Sequence, residues 1–301
     1  MSQHLFGMVL THQGTYANNR GENEGNASTL QKVIRNGELF TTVSAEAIRY
    51  ALRQAWQNMG PGGPALNRLT EDHCRVRIQW PDYGDWARYL DDDALGFLHA
   101  REESRSRRGV LEVTRALSTT PWRGELVQNF ASPGSNPGVT HDHPIPYVVE
   151  IHHTRYQYGF ALTPAGFGRP GPGGPDSLDA GEKRRRLSLV LAGLLNLSGV
   201  GGNHARFLTD FSPQALVLRW THDPAPRFLY CFFQDERGNV SLGPLARRIR
   251  GGDVEAGEFI VGAALDIREQ EELTGLGAGW RDGVKRAVED LLSRVSDEDL
   301  A

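Results

Sequence analysis

The sequence predicts an α+β fold, and three stretches support this prediction. Residues 4–11 (HLFGMVLT) are apolar on both faces, which is typical of a central strand. Residues 147–162 (YVVEIHHTRYQYGFAL) alternate along their length, which indicates another strand. Residues 44–57 repeat apolar side chains at helical spacing. Residues 65–145, which lie between these stretches, do not continue a simple alternation of strand and helix.

Length and composition indicate a folded protein. The 301 residues permit one large domain or two small ones, and 39 % hydrophobic with 23 % charged residues suit a packed core. No apolar run approaches the roughly 18 residues of a membrane span. The N-terminus lacks the basic region of a signal peptide. Cys74 and Cys231 lie far apart in the sequence and suit a reducing compartment, so we expect a cytoplasmic protein.

The charge balance limits the kind of partner. A net charge of -4 argues against a protein that coats nucleic acid with its whole surface, but it permits a local basic groove. Only three of the 33 basic residues are lysines, and the rest are arginines. The planar guanidinium fork fits phosphate and stacks on bases. Genome composition explains the same bias equally well.

The N-terminal part combines a polar loop with an amphipathic helix. Residues 18–25 (NNRGENEG) are polar and glycine-punctuated, which predicts irregular backbone. The helix begins after Ser44, a good N-cap. Arg49 and Arg53 lie four residues apart and are expected to project from one face. A helix start with an exposed hydroxyl and two guanidiniums suits a run of phosphates. The alternative is a solvated face, partly neutralised by Glu46.

The middle of the chain is irregular. Residues 59–64 (MGPGGP) end the first helix through glycine and proline. The elements expected in residues 65–145 are a short strand at 75–80, a helix at 89–100, a strand at 110–118 and a mobile loop at 129–146.

The second half is expected to contain more regular elements. A helix is predicted at residues 182–197, although Lys183 to Arg186 place positive charge at its unfavourable end. Residues 198–206 (SGVGGNHAR) follow, and their glycines allow close backbone approach to a ligand. The remaining predicted elements are strands at 215–220 and 228–234 and helices at 255–270 and 280–294.

Several kinds of catalytic or metal site do not match the sequence. The pairs His141/His143 and His152/His153 and the neighbours His73 and Cys74 lack the spacing of zinc ligands. Consecutive acids at residues 91–93 point in different directions on a helix, so a helix cap is favoured over a cation site. The sequence contains no G-x-S-x-G motif and no phosphate-binding G-x-x-x-x-G-K-[ST] motif.

Five ordered segments carry a family resemblance. Asn19-Arg20 in a polar loop is followed by VSAEAIRYALR at residues 43–53, and later by DDDALGFL, LEVTRALS and DFSP. This pattern resembles the repeated backbone subunit of CRISPR type I effector complexes, most closely the DevR branch found with type I-B systems. The resemblance covers nearly the whole chain.

The resemblance implies a fold and a function. The fold is one RRM-like (ferredoxin-like) palm over residues 1–301, with a helical fingers insertion at about 65–145 and a β-hairpin thumb at about 198–213. The implied function is to bind CRISPR guide RNA (crRNA) along its spacer as a multi-copy helical filament. That filament is the backbone of a Cascade-like effector for RNA-guided DNA recognition in antiviral defence. The implied partners are crRNA, target DNA paired to it, further copies head to tail, and other Cascade subunits. No cofactor, metal, membrane or enzymatic activity is expected.

The resemblance also implies the RNA-binding residues. By match to the motif, they are Asn19, Arg20, Ser44, Arg49 and Arg53, with Lys32 as a further contact. The thumb loop is expected to reach over the guide and displace a base at intervals, using Gly201, Gly202, Asn203, His204 and Arg206.

Two other functions are alternatives to the guide-RNA scaffold. One is a stand-alone autoregulator that binds a defined nucleic-acid site, as the DevR name implies for part of the family. The other is a target-RNA endonuclease like related type III subunits, which cut with an aspartate in the N-terminal loop. Here that loop contains Glu22 and Glu24 and no aspartate, which argues against cleavage.

Overall fold

The structure is a computed structural model, and it describes residues 2–25, 27–71, 75–78, 85–99, 104–131, 144–170, 177–201 and 207–301. The elements below belong to these ranges.

The strands are β1 (His4–Thr11), β2 (Gly14–Tyr16), β3 (Asn19–Glu24), β4 (Ala27–Leu30), β5 (Lys32–Arg35), β6 (Glu38–Val43), β7 (Arg68–Glu71), β8 (Arg75–Ile78), β9 (Gly96–His99), β10 (Arg105–Arg108), β11 (Leu111–Val113), β12 (Ala116–Ser118), β13 (Leu126–Ala131), β14 (Ile145–Glu150), β15 (His152–Thr154), β16 (Tyr156–Leu162), β17 (Pro213–Thr221), β18 (Phe233–Gln234), β19 (Val240–Ser241), β20 (Phe259–Ala263) and β21 (Gly279–Asp282). The α-helices are α1 (Ala45–Gln57), α2 (Leu90–Leu95), α3 (Ala180–Leu195), α4 (Gly243–Arg250), α5 (Gln270–Gly275) and α6 (Val284–Arg294). Among these helices, none has both the length and the apolar character that a bilayer crossing requires.

A nine-stranded sheet forms the centre of the molecule. Its order is β21-β20-β17-β1-β16-β12-β6-β5, and β11 also pairs with β16. Strand β1 lies between β16 and β17 and runs antiparallel to both. The predicted central position of β1 is therefore confirmed. The order along the chain is β1, α1, β11/β12, β16, α3 and β17. When the four strand positions are numbered in that order, they lie side by side in the sheet as fourth (β17), first (β1), third (β16) and second (β11/β12).

The central sheet has a hydrophobic core on each face, because successive side chains of a strand point to opposite sides. Leu5 and Val9 of β1 pack in one core with residues of α1, α3 and α6. Met8 and Leu10 pack in the other, under a C-terminal layer formed by residues 228–254 and α5. Because each face of the sheet has its own core, the side chains on both faces of β1 are apolar.

The predictions of α1 and α3 are confirmed, whereas the predicted helix at residues 255–270 is wrong. Helix α1 begins after Ser44, as expected, and α3 begins two residues before the predicted start. Residues 255–270 do not form a helix, because Phe259–Ala263 pairs with β17 as β20. A short apolar run cannot be assigned to helix or strand by its periodicity alone, since both bury such a run.

The stretch at residues 147–162 is three strands and not one. Strand β14 joins a four-stranded sheet with β13, β4 and β3, whereas β15 pairs with β2 and β16 enters the central sheet. Alternation identifies extended backbone correctly, but it does not specify which strand is the partner. The expected loop at residues 18–25 is also partly extended, since it contains β3.

The insertion expected at residues 65–145 is not mainly helical in its described part. It contains β7 to β13 and the single helix α2 of six residues. The predicted helix at residues 89–100 ends at Leu95 because Gly96 adopts φ +70°, and a Cβ there would lie 2.4 Å from the Arg107 carbonyl oxygen. Strands β9 and β10 then form a hairpin. Most of the expected mobile loop at 129–146 lies outside the described residues.

Candidate nucleic-acid interface

Three segments that the sequence assigned to RNA binding meet at one place. Gly201 adopts φ +61°, in the left-handed region that favours glycine. A Cβ at this residue would lie 3.6 Å from Asn18 Oδ1 and 3.8 Å from Val43 Cγ1. Asn18 directly precedes β3, and Val43 directly precedes the N-cap of α1. The glycine-rich loop, the N-terminal polar segment and the start of α1 therefore converge.

The glycine-rich segment is anchored at both of its ends. Ser198 and Asp210 form an isolated antiparallel bridge that closes its base. Val200 and Phe211 are buried, and the Phe211 ring stacks on Tyr158 with a centroid distance of 5.8 Å. Within it, Leu208 is 94 % exposed with φ +42°. Gly202, Asn203, His204 and Arg206 lie outside the described residues, so their predicted contacts stay predictions.

A chain of buried hydrogen bonds lies beneath this junction. Asn18 Nδ2 donates to Tyr156 Oη over 3.2 Å, and Tyr156 Oη lies 2.7 Å from Thr41 Oγ1. Thr41 Oγ1 is also 2.7 Å from His152 Nδ1. All four side chains are buried, and burial lowers the pKa of His152 to about 4. This network is not evident from the sequence, because the pattern of polar residues within a strand does not identify their partners.

Two tyrosines of β16 offer a matched test of this network. Tyr156→Phe should lower the free energy of unfolding by about 1–3 kcal/mol, because the buried Asn18 amide loses its acceptor and the buried Thr41 hydroxyl keeps only its hydrogen bond to His152. Tyr158→Phe should be neutral or slightly stabilising, since the buried Tyr158 hydroxyl has no hydrogen-bond partner among the described residues. Urea unfolding of both variants measures the difference, and equal losses would contradict the assignment.

Ser44 caps α1 but is not exposed as expected. Its hydroxyl accepts a hydrogen bond from the Ala47 backbone N–H over 3.2 Å, and its side chain is buried. The capping role predicted from the sequence is confirmed. Burial of the hydroxyl follows from the position of Ser44 at the end of β6, which is an inner strand of the sheet.

Arg49 and Arg53 do not project into solvent as the expected pair. Arg53 is 8 % exposed, and its Nε lies 3.2 Å from Asp91 Oδ2 in a buried ion pair. Arg49 is half-buried and donates through Nη2 to the Leu95 carbonyl oxygen. Both guanidiniums therefore hold α2 against α1, because the insertion supplies the carboxylate and the carbonyl group. Their contact with RNA stays a prediction.

Of the other predicted RNA contacts in the N-terminal part, the structure describes the side chain of Lys32 but not those of Asn19 and Arg20. The Lys32 ammonium group pairs with Glu150 and lies 4.2 Å from the centroid of the Trp122 ring. It is thus partly neutralised in this structure. Asn19 and Arg20 begin β3, but their side chains lie outside the described residues. Their roles stay predictions.

Helix α2 begins after Tyr89 without a side-chain cap, so the acidic run at residues 91–93 does not form the expected helix cap. All three carboxylates are buried, and they bond to groups outside α2. Asp91 Oδ1 accepts from the Asn67 backbone N–H over 2.8 Å, and Asp92 Oδ2 accepts from the Asn67 side-chain amide over 2.8 Å. Burial, followed by the nearby Asp91 charge, raises the pKa of Asp92 to about 6.

Asp93 joins the insertion to α3. Its Oδ2 accepts from Arg186 Nη1 over 2.6 Å and from the Gly168 backbone N–H over 2.9 Å, and its Oδ1 pairs with Arg107. Arg186 and Lys183 are buried, and Lys183 Nζ donates to the Leu300 carbonyl oxygen over 2.6 Å. Two of the four basic side chains at the start of α3 are therefore buried and bonded to other segments.

The described residues contain no group of three or more His, Cys, Asp or Glu side chains arranged to hold a metal ion. His141 and His143 lie outside those residues, as do His73 and Cys74.

Comparisons with known proteins give the family. A family model described as "CRISPR-associated negative auto-regulator DevR/Csa2" matches residues 85–238. The "CRISPR-associated protein Cas7/Cst2/DevR" of Myxococcus xanthus (strain DK1622) is 41 % identical over 298 residues, covering 91 % of this chain and 92 % of the relative.

Solved structures resemble the fold over nearly its whole length. A chain of a "CRISPR RNA-guided surveillance complex" matches with a TM-score of 0.60 and 14 % identity, covering 97 % of this chain and 99 % of the other. A chain of a "CRISPR RNA-guided surveillance complex, pre-nicking" matches with a TM-score of 0.66 and 12 % identity, covering 96 % and 99 %. With the relative that is 41 % identical over most of its length, the family is clear: this chain belongs to the DevR/Csa2 family of CRISPR-associated proteins.

Proposed function

We propose that this protein binds CRISPR guide RNA along its spacer and forms the backbone of a type I-B Cascade-like complex. The observation that carries the proposal is the convergence of Asn18, Val43 and Gly201, which brings the three segments of the RNA-binding motif to one junction. Family membership and the likeness to chains of RNA-guided surveillance complexes support it.

The fold supports the assignment of an RRM-like palm. A strand-helix-strand-strand-helix-strand order, with the fourth strand beside the first, is the ferredoxin-like arrangement, and the central sheet contains it. The segment from Ser198 to Asp210, with its closed base, suits the proposed thumb. A protein that accepts any spacer must bind the sugar-phosphate backbone of the guide RNA and leave the base edges free for pairing with target DNA.

The proposed assembly is an open filament of copies joined head to tail, flanked by other Cascade subunits in the cytoplasm. A heterologous contact of this kind propagates because the two contacting surfaces differ. Exposed apolar side chains supply surface that such a contact would bury, among them Ile34 at 77 % and Leu98 at 70 % exposure. The protein acts in antiviral defence as a scaffold and not as an enzyme.

Binding of guide RNA across a salt series tests the proposal. The wild-type chain should bind two guides with unrelated spacers equally, with affinity falling steeply as salt rises. Arg20→Ala should weaken binding about 10–100-fold, as expected for the loss of a charged hydrogen bond. It should also reduce the salt slope by about 0.7, the value for one phosphate contact on a single strand.

The control is Arg237→Ala in the turn between β18 and β19, which should bind like the wild type. Strong preference for one spacer would contradict the scaffold and favour an autoregulator, which the description of the matching family model also names. Metal-dependent cleavage of a complementary RNA would instead favour the endonuclease.

A further inference from the structure

We propose that Asn18, Tyr156, Thr41 and His152 form a positioning network that fixes the distance between the polar segment at β3 and the glycine-rich loop at Gly201. The inference rests on the proposed function, because its consequence is that the segments expected to contact guide RNA are already held in their binding geometry in the free chain. None of the four residues is among those expected to contact RNA directly. They act through the segments that contact RNA.

The hydrogen bonds of the network run in one direction. The Asn18 amide N–H donates to Tyr156 Oη, so the Tyr156 proton is directed to Thr41 Oγ1. Thr41 in turn donates to His152 Nδ1, which accepts in the neutral imidazole. Each hydroxyl thus gives one hydrogen bond and receives one.

The chain of hydrogen bonds continues beyond the imidazole through Thr120 and returns to Thr154, in the same strand β15 as His152. His152 Nε2 lies 3.3 Å from Thr120 Oγ1, and Thr120 Oγ1 lies 2.7 Å from Thr154 Oγ1. Thr154 Oγ1 donates to the Arg155 carbonyl oxygen over 3.0 Å. With the imidazole donating through Nε2, this second half runs in the same direction as the first. In this arrangement every hydroxyl and imidazole hydrogen of the network has an acceptor, and a satisfied network favours a single geometry.

The network touches all three segments at the junction. Asn18 begins the polar segment and lies against Gly201. Thr41 lies in β6, three residues before the N-cap of α1, and its backbone N–H donates to Ser118 Oγ over 3.1 Å. A shift of Thr41 or Tyr156 would thus move Asn18 relative to the start of α1. Because phosphate contacts require their donors at set spacings, such a shift weakens RNA binding without removing any charge.

Four variants separate positioning from overall stability. Thr41→Val removes the hydroxyl and keeps the shape, whereas Thr41→Ser keeps the hydroxyl. Tyr156→Phe removes the central hydroxyl, and Tyr158→Phe is its control on the same strand. The dissociation constant for guide RNA is measured on each, together with the active fraction from a stoichiometric titration.

We expect Thr41→Val and Tyr156→Phe to bind about tenfold more weakly at an unchanged active fraction, since one to two buried hydrogen bonds are lost. Thr41→Ser and Tyr158→Phe should bind within about twofold of the wild type, consistent with an intact network. A lower active fraction with an unchanged dissociation constant would overturn the inference, because it indicates a role in folding alone.

A second measurement is independent of RNA. In the free chain, amide hydrogen exchange of residues 18–25 and 199–201 should rise in Thr41→Val and not in Thr41→Ser. Unchanged exchange in both segments would also overturn the inference. If the wild type bound no guide RNA while the exchange result held, the proposed function would fail and the structural coupling would stand.

Discussion

Replacing Asp93 by asparagine should lower the free energy of unfolding by about 3–5 kcal/mol, the cost of removing one partner from a buried ion pair. The Asp93 carboxylate has no exposed surface and faces two guanidiniums, those of Arg186 and Arg107. Asparagine keeps the size of the side chain but removes its negative charge. Two buried positive charges would then lack their main compensation.

A matched control isolates the effect of burial. Asp297→Asn makes the same chemical change at a carboxylate that is 78 % exposed and lies 2.9 Å from Arg184. Exposed pairs contribute about 0–1 kcal/mol, so this variant should differ little from the wild type. Urea denaturation of both variants measures the free energies. Similar losses would show that the Asp93 network does not join the insertion to α3 as the structure indicates.

The contributions of two buried groups to the pH dependence of stability should nearly cancel between about pH 6 and 4, because the two groups oppose each other. Burial lowers the pKa of His152 from 6.5 to about 4, and it raises the pKa of Asp92 from 3.8 to about 6. The two shifts cover nearly the same pH range and have opposite signs. Titration of the remaining groups is common to the wild type and its variants.

The signs follow from which state binds more protons. Between pH 6.5 and about 4, the unfolded chain protonates His152 and the folded chain does not, so acid lowers the unfolding free energy. Between about pH 6 and 3.8, the folded chain protonates Asp92 and the unfolded chain does not, so acid raises it. Each group contributes up to about 1.4 kcal/mol per pH unit.

Single variants should separate the two contributions. Relative to the wild type, the unfolding free energy of Asp92→Asn should fall by up to about 1.4 kcal/mol per pH unit on acidification from pH 6 to 4, because only the His152 effect is left. His152→Gln should show the opposite trend over the same range. Urea unfolding at pH 4, 5, 6 and 7 gives one curve of unfolding free energy against pH for the wild type and for each of the two variants. Curves that stay parallel to the wild type would contradict both shifted pKa values.

Much of the fold could be predicted from the sequence, because local patterns encode which face of an element is buried. The apolar pattern of residues 4–11 predicted a central strand, and β1 is central. Ser44 and the helical spacing after it predicted α1 and its cap. The order of motifs predicted the family, which the relatives confirm. The apolar run that forms β20 was misassigned because a short buried run fits a helix and a strand equally well.

The tertiary structure alone determined the partners of the polar and charged residues. Spacing along α1 placed Arg49 and Arg53 on one face, but only packing of the insertion showed that this face meets Asp91 and the Leu95 carbonyl group. Thr41 and Tyr156 are 115 residues apart, and Asp93 and Arg186 are 93 apart. A repeating pattern specifies the direction of a side chain relative to its own backbone. The group that it meets depends on how distant segments pack, and it is this packing that brings Asn18, Val43 and Gly201 together.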